Sequence, residues 1–179
     1  MLSFPMSCLG LNQISLRKIL AYSSINHIGW MISSMLNSQS IWLVYFMVYT
    51  MLTANIVLTF NENHVFSMSQ MHSSMNQNKM LKFLFMLNFL SLGGLPPFLG
   101  FLPKWLTINN LVQNNFFLIG LILIMSTLIT LFFYLRITFS TMVINSAESL
   151  IVKEKPMNYM IMGLNLISLA GLIACTMIL

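Results

Sequence analysis

The chain has 179 residues, 58% of them hydrophobic and only 6% charged, with a formal net charge of +5. A soluble domain usually carries about 25% charged residues, and eight basic plus three acidic side chains cannot clothe this chain in water. This excludes an ordinary soluble enzyme, a disordered tail and a nucleic-acid binder, and it makes the bilayer the natural solvent.

Taken in order, residues 1–10 (MLSFPMSCLG) are apolar but too short to cross a bilayer. A span of about 30 Å of hydrocarbon needs roughly 20 apolar residues. Hydrophobic stretches predict helices over 19–36, 41–60, 80–112, 116–143 and 159–179. The expected fold is therefore an all-α polytopic membrane domain with about five transmembrane helices. Cys8 and Cys175 stand far apart in apolar sequence and read as small packing residues.

The links alternate in character. Arg17 and Lys18 precede the first helix, and the first-to-second link is uncharged. Glu62, His64, His72, Lys79 and Lys82 surround the second-to-third loop. The third-to-fourth link is again uncharged. Arg136, Glu148, Lys153, Glu154 and Lys155 cluster at the fourth-to-fifth loop. Five crossings thus put every charge except Lys104 on or near one side, and excess Lys and Arg mark the side that is not translocated. That side is the cytoplasm, or the matrix in a mitochondrion. His64 and His72 have no cysteine or carboxylate to complete a ligand set and read as a solvated loop, so no metal is expected.

The third stretch is too long for one upright helix: 80–112 unbroken would run roughly 50 Å. Gly93, Gly94, Pro96, Pro97, Gly100 and Pro103 mark an interruption near 93–103. Proline lacks the N–H donor and obstructs the preceding turn, and glycine lowers the steric cost of a bend. Irregular backbone at membrane depth must be buried in protein or face water, and transporters use such breaks to place polar groups at the midplane. Lys104 follows the break, roughly 12 Å before the helix end. Placing a lysine there costs roughly 3 kcal/mol on insertion scales. One reading is a relay that loads and releases a proton; the other is an ammonium snorkelling to the interface beside Trp105.

His27 lies roughly 13 Å into the first helix. Ser23 at i−4 and Ser24 at i−3 share its face, and Tyr22 and Asn26 form a neighbouring pair. A histidine titrates near neutral pH and both donates and accepts, which suits a proton relay. A neutral histidine tying two helices together accounts for the same residue. Tyr45, Tyr49 and Thr53 form a polar row on the second helix, and Ser126, Thr130, Tyr134 and Thr138 on the fourth. With Asn88 and Ser91 they can line a wet core around Lys104. No nucleophile–base pair, paired carboxylate or nucleotide loop occurs, so the chemistry expected is proton movement.

GLNQISLRKILAYSSINHIGWM (10–31), LSLGGLPPFLGFLPKWL (90–106) and FFYLRITFS (132–140) resemble the NADH–ubiquinone oxidoreductase chain 2 family, with an arthropod flavour. The resemblance runs from Gly10 to the C-terminus. It implies part of an antiporter-like inverted-repeat fold, in the mitochondrial inner membrane, as a subunit of respiratory complex I. It also implies proton-relay roles for Lys104 and His27. Ser23, Ser24, Thr130 and Tyr134 are expected to support the path on the residue rows themselves, which helix packing also accounts for. Other complex I membrane subunits and lipid are the implied partners. NADH and ubiquinone are used by other subunits, so no cofactor is expected in this chain. Full-length relatives are about twice as long, which leaves two alternatives: a truncated structural or assembly subunit without its own proton path, and a cation/proton antiporter.

Overall fold

The computed structural model describes residues 3–36, 38–63, 65–68, 70, 79–143, 163, 165, 166, 168 and 171. Among the described residues six helices follow in order: α1 Ser3–Gly10, α2 Leu16–Met35, α3 Gln39–Asn63, α4 Lys79–Gly93, α5 Phe101–Gln113 and α6 Phe117–Val143. Most of the stretch expected as a helix at 159–179 lies outside the described residues. So do His64, His72, Glu148, Lys153, Glu154, Lys155 and Cys175.

Every helix after α1 buries some polar side chains beside the apolar core and leaves some large apolar ones exposed. On α2, Ser23, Asn26, His27, Ser33 and Ser34 are buried, while Ile28, Ile32 and Met35 are exposed. On α6, Ser126, Thr130 and Thr138 are buried, while Leu118, Leu121, Leu128 and Phe132 face outward. A lipid surround explains both faces: it solvates the apolar exterior and offers polar groups no hydrogen bonds, so they turn to one another. Among the described residues, Gln39–Asn63 and Phe117–Ser140 are long and apolar enough to cross a membrane.

Two apolar layers bracket the polar interior. In the first, Leu16 and Ile19 of α2 meet Leu52, Ile56 and Phe60 of α3, with Phe85 and Phe89 of α4 and Phe133 and Ile137 of α6. Phe60, Phe85 and Phe89 stack edge to face within it, with ring centroids 4.9 Å apart between the last two. Such pairs add about 0.5–1.5 kcal/mol beyond burial. In the second layer, Trp30, Tyr45, Leu111 and Leu123 meet. His27 lies one turn before Trp30, between the two layers.

Polar contacts lock the end of the bundle where α2 begins. The backbone after α3 runs antiparallel to the chain entering α2: Leu16 N donates to Phe66 O at 3.2 Å and Met68 N to Ile14 O at 3.3 Å. The Arg17 guanidinium lies 4.6 Å over the Phe66 ring. Arg136 Nη1 donates to Leu11 O at 2.6 Å, tying α6 to the turn after α1. Cys8, expected as a packing residue, is exposed instead; α1 is a short helix whose outward face includes it.

Candidate functional site

The site is built around the junction of α4 and α5. α4 ends in a left-handed cap: Gly94 has φ +80, its N–H donates to Ser91 O at 2.9 Å, and Leu95 N–H donates to Leu90 O at 3.4 Å. This paired closure satisfies two of the last carbonyls of the helix. The next two, Leu92 and Gly93, would be bonded in a continuing helix by the N–H groups of residues 96 and 97. Both of those residues are prolines and have no N–H.

Lys104 supplies the missing donors. Its Nζ lies 3.1 Å from Leu92 O and 2.9 Å from Gly93 O. The residue is 7% exposed. The ammonium therefore sits at the negative end of the α4 dipole, pointing into the protein, while its neighbour Trp105 is 49% exposed. The snorkelling geometry is absent. Two glycines permit the approach. A β-carbon on Gly100 would collide with the Ser91 carbonyl, so the start of α5 lies directly against the end of α4. Lys104 follows Gly100 by one helical turn and shares its face. A β-carbon on Gly94 would lie 2.8 Å from Lys104 Cδ.

Pro103, read as part of the interruption, is instead within the first turn of α5. The first four N–H groups of a helix have no partner within it, so proline is tolerated there. Pro96 and Pro97 lie in the connection between α4 and α5 and are exposed.

His27 is 5% exposed. Its Nδ1 lies 2.9 Å from the Tyr45 hydroxyl, and its ring lies 4.8 Å from that of Tyr49. A void of about 10 Å³ is lined by His27, Tyr45, Tyr49, Leu92, Gly100 and Pro103. That is room for about one water. Val48 and Leu52 complete this mostly apolar lining, and Leu92 and Gly100 bring the α4–α5 junction to its edge.

The remaining candidates divide. Ser23 is buried with its hydroxyl on Leu20 O at 2.8 Å, and Tyr134 is buried with its hydroxyl left without a hydrogen-bond partner. Thr130 is buried and accepts from Asn26 Nδ2 at 3.4 Å. Ser24 is not brought in. It is only half-buried and bonds back to Ala21 O, because a position three residues before His27 is rotated toward the helix flank. Three features escaped the sequence reading. Asn26, paired there with Tyr22, instead accepts from Ser126 Oγ at 2.8 Å. Tyr45, seen as one member of a row, is the partner of His27. Asn88, buried on α4, bonds both Asn165 and Ser168. The Leu92 and Gly93 carbonyls were legible in principle, since each lies four residues before a proline.

Residues 3–130 match the family model described as NADH:quinone oxidoreductase/Mrp antiporter, TM. The chain belongs to this family of antiporter-like membrane proteins. Among curated proteins it is 46% identical to NADH-ubiquinone oxidoreductase chain 2 of Aedes aegypti, over 94% of this chain and 51% of that one. It is 43% identical to NADH-ubiquinone oxidoreductase chain 2 of Anopheles albimanus, over 89% of this chain and 96% of that one. The chain spans about half the length of the Aedes aegypti and Anopheles gambiae relatives. In fold it superposes on a chain of "Respiratory complex I from Thermus thermophilus with bound Aureothin" with a TM-score of 0.76 at 20% identity, covering 94% of this chain and 40% of that one.

Proposed function

We propose that this chain is a proton-translocating membrane-arm subunit of an NADH:ubiquinone oxidoreductase, respiratory complex I, in the mitochondrial inner membrane. Electron transfer in other subunits drives proton movement through its interior, and the chain carries no cofactor of its own. Five helices cross the bilayer, α4 and α5 being the halves of one discontinuous crossing. The charged loops lie on the matrix side, and neighbouring membrane subunits and lipid cover the apolar exterior.

One observation carries the reading. A lysine amine is buried at a helix break, held by two backbone carbonyls, one of which belongs to a residue that also lines the void beside His27. An isolated buried charge is expensive and marks ion pathways in membranes. Among the described residues no carboxylate is buried to neutralise it, so the site can exist charged or neutral without breaking an ion pair. Lys104 is the proposed proton carrier. His27, with Tyr45 on one ring nitrogen, is the proposed second station, and Ser23, Thr130 and Tyr134 line the polar interior. The family resemblance in sequence supports the same assignment of Lys104 and His27.

The test is Lys104→Met in the assembled complex, which keeps chain length and removes the titratable group. Protons translocated per NADH oxidised are expected to fall while assembly persists. Undiminished pumping by the intact variant complex overturns the reading.

A further inference from the structure

The strongest unexplained regularity is the register between the two prolines and the two carbonyls that Lys104 holds. Residues 96 and 97 are the i+4 donors for residues 92 and 93 in a continuing helix, and these same two carbonyls receive the amine. The preceding pair, Leu90 and Ser91, is closed by backbone donors from Gly94 and Leu95. The proline pair therefore leaves two adjacent acceptors for Lys104, at 3.1 and 2.9 Å.

We propose that Pro96 and Pro97 are positioning residues for Lys104. By withholding two backbone donors, they reserve the Leu92 and Gly93 carbonyls for the amine and hold its nitrogen at one point in both protonation states. The hydrogen count fits this role. An ammonium carries three N–H bonds. It gives one hydrogen away as H⁺ and keeps two, one for each carbonyl. Proton loss then requires no rearrangement of the cradle and leaves neither buried acceptor unpaired, which would cost about 1–3 kcal/mol each. The third N–H position is the one that exchanges. On the elements packed against α5 the buried titratable groups are His27 from α2, Tyr45 from α3 and Tyr134 from α6, with Tyr49 half-buried; Arg17, Lys18 and Tyr22 of α2, Glu62 of α3 and Arg136 of α6 are exposed or half-buried. The cradle is thus made of backbone oxygens and does not titrate itself.

This inference rests on the proton-carrier reading for its consequence but not for its geometry, and the experiment separates them. Density maps of the native complex at mildly acid and alkaline pH are expected to place Nζ within hydrogen-bond distance of both carbonyls in each. Pro96→Ala/Pro97→Ala returns an N–H group to each of the two positions. In the assembled variant complex, the proton-to-NADH ratio is expected to fall several-fold and its pH profile to move, with NADH oxidation retained. Amine displacement from either carbonyl at one pH overturns the proposal, as does an unchanged ratio and profile in the double variant. If the double variant does not assemble, the native maps decide. Undiminished pumping by Lys104→Met instead defeats the carrier reading, leaving the cradle to be judged by the maps.

Discussion

The Lys104 side chain fills the space beside Gly94: a β-carbon there would lie 2.8 Å from Lys104 Cδ and 2.9 Å from its Nζ. The same glycine has φ +80, a conformation that costs other residues roughly 1–2 kcal/mol. The missing β-carbon thus serves both the left-handed end of α4 and the close approach of the amine.

Gly94→Ala is therefore expected to destabilise the chain by about 1–2 kcal/mol from backbone strain alone, and to displace the amine as well. The two effects separate in a double-mutant cycle with Lys104→Ala, which removes the collision and keeps the strain. Thermal denaturation of the purified complex reads both. Additive losses would show that the side chains do not compete for space.

Tyr45→Phe removes the hydroxyl 2.9 Å from His27 Nδ1 and alters little else in shape. A buried polar atom left without its partner costs about 1–3 kcal/mol. Slower proton translocation with normal assembly is the expected outcome, measured by dye quenching in vesicles holding the complex. Wild-type translocation and stability together would mean that the contact contributes nothing to either.

The Asn26–Ser126 contact is expected to be modest. Ser126 Oγ is also directed at Leu123 O at 2.8 Å, so it keeps a partner when Asn26 is lost. Coupling energies between buried polar side chains in membranes average about 0.6 kcal/mol. A cycle of Asn26→Ala and Ser126→Ala should return a value near that figure. A coupling above the membrane maximum of about 1.7 kcal/mol would point to a larger network than these two residues form.

Arg136→Lys is expected to loosen the turn after α1. The guanidinium bonds Leu11 O and approaches Met68 Sδ at 3.7 Å through two different nitrogens. A single ammonium cannot reproduce that fork. Faster amide hydrogen exchange around residues 11–16 and 66–68, with the α4–α5 junction unchanged, is the expected signature.

Much of this was legible from residue order. The all-helical, antiporter-like fold follows from long apolar stretches and from motifs spread along nearly the whole chain. Period arguments also placed Ser23 on the His27 face and set Thr130 and Tyr134 in one row. They failed at Ser24, because positions three and four residues away diverge in angle, and only packing decides which side of the stripe is covered. They missed the Asn26–Ser126 contact for a related reason: a contact between helices 100 residues apart leaves no local pattern. Pro103 was misjudged because proline interrupts a helix interior but is tolerated in its first turn. The cradle for Lys104 was written in the spacing of two prolines, but seeing it required asking which carbonyls they leave without donors.

The turn joining α5 to α6 has a consequence for biogenesis. Asn114 Nδ2 folds back onto Asn110 O and Oδ1, both at 2.8 Å, and Asn115 closes the bend with φ 62. No ionised side chain stands between Asn109 and Phe116. On the topology proposed above this turn lies on the translocated side. Its tip brings part of its own hydrogen bonding and no ionised side chain, so no ion's hydration shell has to be stripped when it crosses.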